Sequence, residues 1–100
     1  MDYQEIYKQD VAMYNDIVER YDYLQEEDVL GSFQLMKDSI QAYNRWSYIK
    51  YDIKRNLKRG EASATKDRLE EICRYLKEVH TGSRMIWNKA KEGLNNNCEL

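Results

Sequence analysis

Apolar or small side chains recur along the last third of the chain in steps of four and three: Thr65, Leu69, Ile72, Leu76, Val79, Ser83, Ile86 and Ala90. Such a seven-residue repeat puts every member on one face of an α-helix. A second row, Cys73, His80 and Trp87, runs beside it at intervals of seven. The two rows together are wider than the seam of a plain coiled coil, so this helix is predicted to touch two neighbours.

Two earlier segments carry stripes that could supply them. From about Asp2 to Asp28 the apolar face reads Tyr3, Tyr7, Val11, Tyr14, Val18 and Tyr21, widened by Ile17 and Leu24. Asp2 and Glu5 suit the positive start of that helix, whereas Glu26, Glu27 and Asp28 oppose its negative end and predict fraying there. From about Ser32 to Arg59 the stripe reads Phe33, Met36, Ile40, Tyr43, Trp46, Ile49, Ile53 and Leu57. Its rhythm loosens after Ile40, which predicts globular packing rather than a strict supercoil. Ser32 is the expected N-cap, with an earlier start at Asp28 as the alternative.

Gly31, Gly60 and Gly93 read as stop signals that divide the chain into three segments of similar length. Gly82 falls inside the repeat without disturbing its phase. A continuous helix is therefore expected there, weakened by about 1 kcal/mol relative to Ala, and a break at Thr81-Gly82-Ser83 is the alternative. Small Ser83 and Ala90 leave room for a ring such as Tyr14 or Trp46. The connection Gly60-Glu61-Ala62-Ser63-Ala64 is short, and short connections make antiparallel neighbours.

The expected fold is all-α: three long antiparallel helices in an up-down-up bundle, with dimerisation into a larger helical bundle as the alternative. A single domain over 1–94, with helices near 2–28, 32–59 and 63–92, would be followed by a flexible tail, 95–100.

Composition adds a shortage of aliphatics. Leu, Ile, Val and Phe make up only 20 of 100 residues, and nine Tyr and two Trp fill the gap. Tyrosine buries a large ring but needs a partner for its hydroxyl, so the Tyr side chains should sit at helix seams with hydroxyls at the rim. The absence of proline suits long helices. The longest apolar run is Val11-Ala12-Met13-Tyr14, too short for a membrane span or a signal-peptide core. The start of the chain is acidic, and two cysteines form neither CxxC nor a disulfide framework. A reduced, cytoplasmic setting without membrane attachment is expected.

Net charge is −2, but residues 1–44 carry ten acidic and three basic side chains, and residues 45–100 eight acidic and thirteen basic. Chemistry of a catalytic kind finds little footing. His80 is the only histidine, and its helical neighbours Leu76, Lys77, Ser83 and Arg84 include no second metal ligand of useful type. Cys73 lies on the packed stripe, where a thiol is inert, and Cys98 sits in the predicted tail. Glu26-Glu27 and Glu70-Glu71 are adjacent, so their carboxylates diverge on a helix. The sequence contains no catalytic, cofactor or metal motif, and a non-enzymatic protein is expected.

Two charged surfaces remain. Arg45, Tyr48, Tyr51, Lys54, Arg55, Lys58, Arg59, Lys66 and Arg68 gather cations and rings around the tip between the second and third segments. Rings beside cations are what single-stranded nucleic acid binds, although the same cations could simply balance the acidic first helix. Conversely, Glu5, Asp16, Glu19 and Glu26 surround Tyr23 on the outer face of the first segment and could dock on a basic groove of another protein. The functional expectation is a protein–protein interaction module that acts through Tyr-rich, acidic helical faces and whose partner is another protein or a second copy. It would be a small adaptor, subunit or inhibitor, of the kind by which a phage or mobile element blocks a host enzyme. Nucleic-acid binding at the basic tip is the alternative.

Overall fold

A computed structural model describes residues 3–57 and 62–98, with side chains described for 3–57 and 64–94. Every element in it is a helix: α1 spans Tyr3–Ile6, α2 Lys8–Asp22, α3 Val29–Asn56 and α4 Ala62–Cys98. Among the described residues no helix is long and apolar enough to cross a membrane. Asp2, the predicted turn at Gly60 and the cations Lys58 and Arg59 lie outside the residues whose side chains are described.

The dominant packing joins α3 to α4. The two run antiparallel, with Phe33 against Trp87 at one end and Lys54 paired to Glu70 at the other. The buried row of α4 is Leu69, Ile72, Leu76, Val79 and Ser83, as its repeat predicts. The buried row of α3 differs from expectation. It reads Ser32, Leu35, Ser39, Ala42, Trp46, Ile49 and Ile53, a strict alternation of three and four. Phe33, Met36, Ile40 and Tyr43, the expected stripe, lie to one side of it, and Phe33 remains 37% exposed.

The difference has a physical reason. Ser32 and Ser39 satisfy their hydroxyls within their own helix, Ser32 donating to the Asp28 carbonyl (2.7 Å) and Ser39 to that of Met36 (3.1 Å). A serine so bonded buries like a small apolar residue. Ser83 does the same in α4, donating to Val79. Helix separation follows the size of the side chains between the axes, so these small residues favour close approach of α3 and α4.

The helix ends also moved. α2 stops at Asp22, well short of Asp28, with the Tyr23 amide closing onto the Glu19 carbonyl (3.3 Å). Asp28 is instead the N-cap of α3, its carboxylate accepting from the Gly31 amide (2.8 Å). A capping carboxylate at a helix start outcompetes the stop signal of Gly31, which becomes a first-turn residue. Gly93 lies inside α4, which continues to Cys98 rather than ending near 92.

Gly82 leaves α4 unbroken and has a steric role: a Cβ there would collide with the Tyr21 hydroxyl. The ring expected at Ser83 or Ala90 thus arrives one residue away, at Gly82, and belongs to Tyr21. Tyr14 meets Tyr75 edge-on (5.9 Å). Ile17 is the one fully buried residue of α2. The interruption between α1 and α2 falls at Tyr7, yet Tyr7 N–H→Tyr3 and Val11 N–H→Tyr7 bonds of 2.9 Å carry the helical ladder through it. The whole is a rod of 63 × 18 × 17 Å with a radius of gyration of 16.7 Å.

Candidate functional site

The α3–α4 pair has two flanks, and the rows beside the seam determine what each presents. On one flank, Asp38, Arg45 and Asp52 of α3 and Arg68, Tyr75 and Gly82 of α4 recur at seven-residue steps, and α1–α2 lies on them. Arg45 forks onto the Asp10 carboxylate, with Nη2 to Oδ2 at 3.0 Å. Arg20 reaches Asp38 at 2.9 Å. Its Nε also lies 3.0 Å from Asp16, close in charge but unaligned for a hydrogen bond. Tyr7 donates to Asp52 (3.0 Å), Trp46 Nε1 to the Asp10 carbonyl (3.3 Å), and Arg68 to the Tyr3 hydroxyl (3.1 Å). Burial, followed by the bond to Asp52, pushes the Tyr7 phenol above its ordinary range.

The opposite flank is built from Phe33, Met36, Ile40 and Tyr43 of α3 and Cys73, His80 and Trp87 of α4. These are the second row of α4 and the expected stripe of α3, and they meet each other. Phe33 and Trp87 rings lie 5.4 Å apart. His80 Nδ1 donates to the Met36 carbonyl at 2.9 Å, which fixes its tautomer and leaves Nε2 as the free ring nitrogen in the neutral form. Cys73 is buried, and burial raises its thiol above the ordinary range. Among the described residues no further element lies on this flank. The two neighbours that the wide stripe of α4 predicts are therefore α3 and, on the other flank, α2; the row Cys73, His80 and Trp87 borders α3 and is not what meets α2.

Cations border this second flank. Lys37 lies over the Phe33 ring (5.5 Å), Lys77 over Tyr43 (5.9 Å) and Lys91 over Trp87 (4.0 Å). Lys54 holds Glu70 at 3.1 Å, and that bond keeps the Glu70 carboxyl below its ordinary range.

The predicted acidic face is dispersed. Glu5 lies in α1, and Asp16 and Glu19 lie in α2, with Asp16 beside Arg20. Tyr23 sits at the helix end, 75% exposed, and Glu26 is in the connecting loop. The basic tip is likewise divided. Arg45, Lys54 and Arg68 are engaged by Asp10, Glu70 and Tyr3, whereas Tyr48 (76%) and Tyr51 (63%) are exposed, with Arg55 over the Tyr51 ring at 6.0 Å. Lys66 is exposed.

A cleft of about 230 Å³ opens beside Tyr7, lined by Tyr3, Ile6, Asp52, Ile53 and Leu57. It is smaller than the roughly 300–1,000 Å³ typical of small-molecule sites, and a more open groove of about 530 Å³ lies beside it along Tyr7, Asn44, Arg45, Tyr48, Ile49 and Asp52. Among the described residues no three His, Cys, Asp or Glu side chains gather as a metal site would require.

The flank was missed in the sequence because its residues were assigned to the core. The signal was present: Ser32, Leu35, Ser39 and Ala42 continue the spacing of Trp46, Ile49 and Ile53 without a break, which displaces the larger residues beside them. No protein-family model, curated protein or solved structure matches the chain.

Proposed function

We propose that this chain is a non-enzymatic protein–protein interaction module, a small adaptor, subunit or inhibitor whose helices form an up-down-up unit with one flank free for a partner. The observation that carries this reading is the flank of Phe33, Met36, Ile40, Tyr43 and Trp87, core-type side chains that stay half-exposed beside a seam already filled. Apolar side chains left partly exposed together on one flank are the material of interaction sites, and aromatic residues and Met are the types that interface cores enrich. The acidic face around Tyr23 is the lesser candidate, because its carboxylates are spread over two helices and a loop.

Affinity purification from the source cell, with and without nuclease, tests the reading. A specific protein should be retained after nuclease and be lost with Ile40→Asp at unchanged helicity. Retention of nucleic acid alone would overturn it. Nucleic-acid binding is the second reading, favoured by the exposed Tyr48 and Tyr51 beside Arg55. It requires an affinity that falls linearly with the logarithm of salt concentration.

A further inference from the structure

We propose that the flank opposite α2 receives an acidic amphipathic helix from a partner protein, laid along the α3–α4 groove. The proposal rests on the reading of the chain as a protein-binding module and specifies the surface and the chemistry of its occupant.

The charge on the flank selects the partner. Lys77, Arg84 and Lys91 follow one another at seven-residue intervals along α4, and two of them cover rings of the apolar strip. On α3, Lys50 and Lys54 act on Cys73 and Glu70 across the groove, and Lys37 covers Phe33. Among the described residues of these rows Glu70 is the one carboxylate, and Lys54 already holds it. An apolar floor between rows of cations matches a helix with an apolar stripe flanked by Asp and Glu. Lysines placed over rings can swing outward to meet carboxylates while their stems stay on the apolar surface.

The other flank shows what this hairpin accepts. There α2 lies in the equivalent groove, with its stripe of Val11, Tyr14, Ile17 and Tyr21 inward and Asp10 clamped by Arg45. The occupant proposed for the second groove repeats that arrangement. From Phe33 to Lys54 the groove is about 32 Å long at 1.5 Å per residue, room for a helix of about 21 residues.

Two other occupants fit less well. A second copy placed by a two-fold axis would set lysine rows against lysine rows, and like charges across an interface oppose association. Nucleic acid stacks on open ring faces, but here Phe33 and Trp87 pack on each other and lysines lie over three rings.

The test uses the full chain and a fluorescent synthetic peptide of about 21 residues, with leucines at alternating three- and four-residue spacing and glutamates elsewhere. Controls are a scrambled peptide, a lysine-for-glutamate counterpart and an oligothymidylate. The acidic peptide should bind at least about tenfold more tightly than each control, and Lys77→Glu with Lys91→Glu should weaken it by about tenfold or more. Arg55→Glu, away from this flank, should leave it unchanged. The milder Lys77→Gln with Lys91→Gln should give an intermediate loss, which guards against misfolding of the reversed pair.

Equal binding of the scrambled peptide, no effect of the reversals, or preferred binding of the oligothymidylate would each overturn the proposal. So would self-association abolished by the reversed pair. A photo-crosslinker at position 33 or 19 separates this failure from that of the module reading. If the peptide does not bind but position 19 captures a specific cell protein, only the choice of flank and occupant falls. If neither position captures any protein, both readings fall.

Discussion

Gly82 and Tyr21 show how a single missing methyl group positions a helix. The hydroxyl of Tyr21 occupies the space that a Cβ at 82 would fill. Ala is favoured over Gly within a helix by about 1 kcal/mol, but here that gain meets an overpacking cost of about 1–3 kcal/mol. Gly82→Ala should therefore lower the urea midpoint in the native background and raise it when Tyr21→Ala is already present. The reversal of sign is the diagnostic, and additivity of the two changes would show that the contact does not constrain the chain. Asp28 offers a second residue-scale test. Its carboxylate caps the Gly31 amide, and Asp28→Ala should cost about 1 kcal/mol in chemical denaturation, with Asp28→Asn close to native.

At the scale of the element, α3 combines two surfaces that compete for attention in the sequence. Its larger apolar residues, Phe33, Met36, Ile40 and Tyr43, look like the core, while the residues that fill the seam include Ser32, Ser39 and Ala42. The row on α4 was legible because Leu69, Ile72, Leu76 and Val79 are unambiguous aliphatics at the right spacing. The row on α3 was not, because a serine bonded to its own helix is polar in any hydropathy scale and apolar in effect. Helix ends were partly legible: an Asp28 start for α3 was within reach, but the length of the first helix was overestimated because carboxylates at 26–28 were read as a frayed helix rather than as a cap. Of the site, the second row Cys73, His80 and Trp87 was visible, yet nothing in one sequence says on which side α2 will settle.

The seam makes its own prediction. Ser39→Ala should change stability little, since its hydroxyl bonds only within α3. Ser39→Leu should cost about 1–3 kcal/mol by forcing the helices apart, measured by urea denaturation with helicity followed by circular dichroism.

At the scale of the whole molecule, tyrosines replace the missing aliphatics, and this makes stability depend on alkaline pH. Burial is the chief cause that raises the phenols of Tyr14 and Tyr75 above their ordinary value of 10.0. A group whose folded pKa is raised stabilises the fold fully below its unfolded pKa and loses that contribution as pH rises through the folded value. The urea midpoint should hold steady up to about pH 9 and fall above the unfolded phenol value of 10.0. Tyr14→Phe with Tyr75→Phe should flatten the decline, and an equally steep fall in that variant would assign the effect to other groups.

The rod shape has a hydrodynamic consequence. A radius of gyration of 16.7 Å exceeds the roughly 13 Å of a compact chain of 100 residues. A monomer of 12.1 kDa with these proportions meets extra friction and leaves a gel-filtration column early, where a globular dimer would elute. Light scattering, which weighs the particle rather than timing its passage, separates an elongated single chain from a true pair.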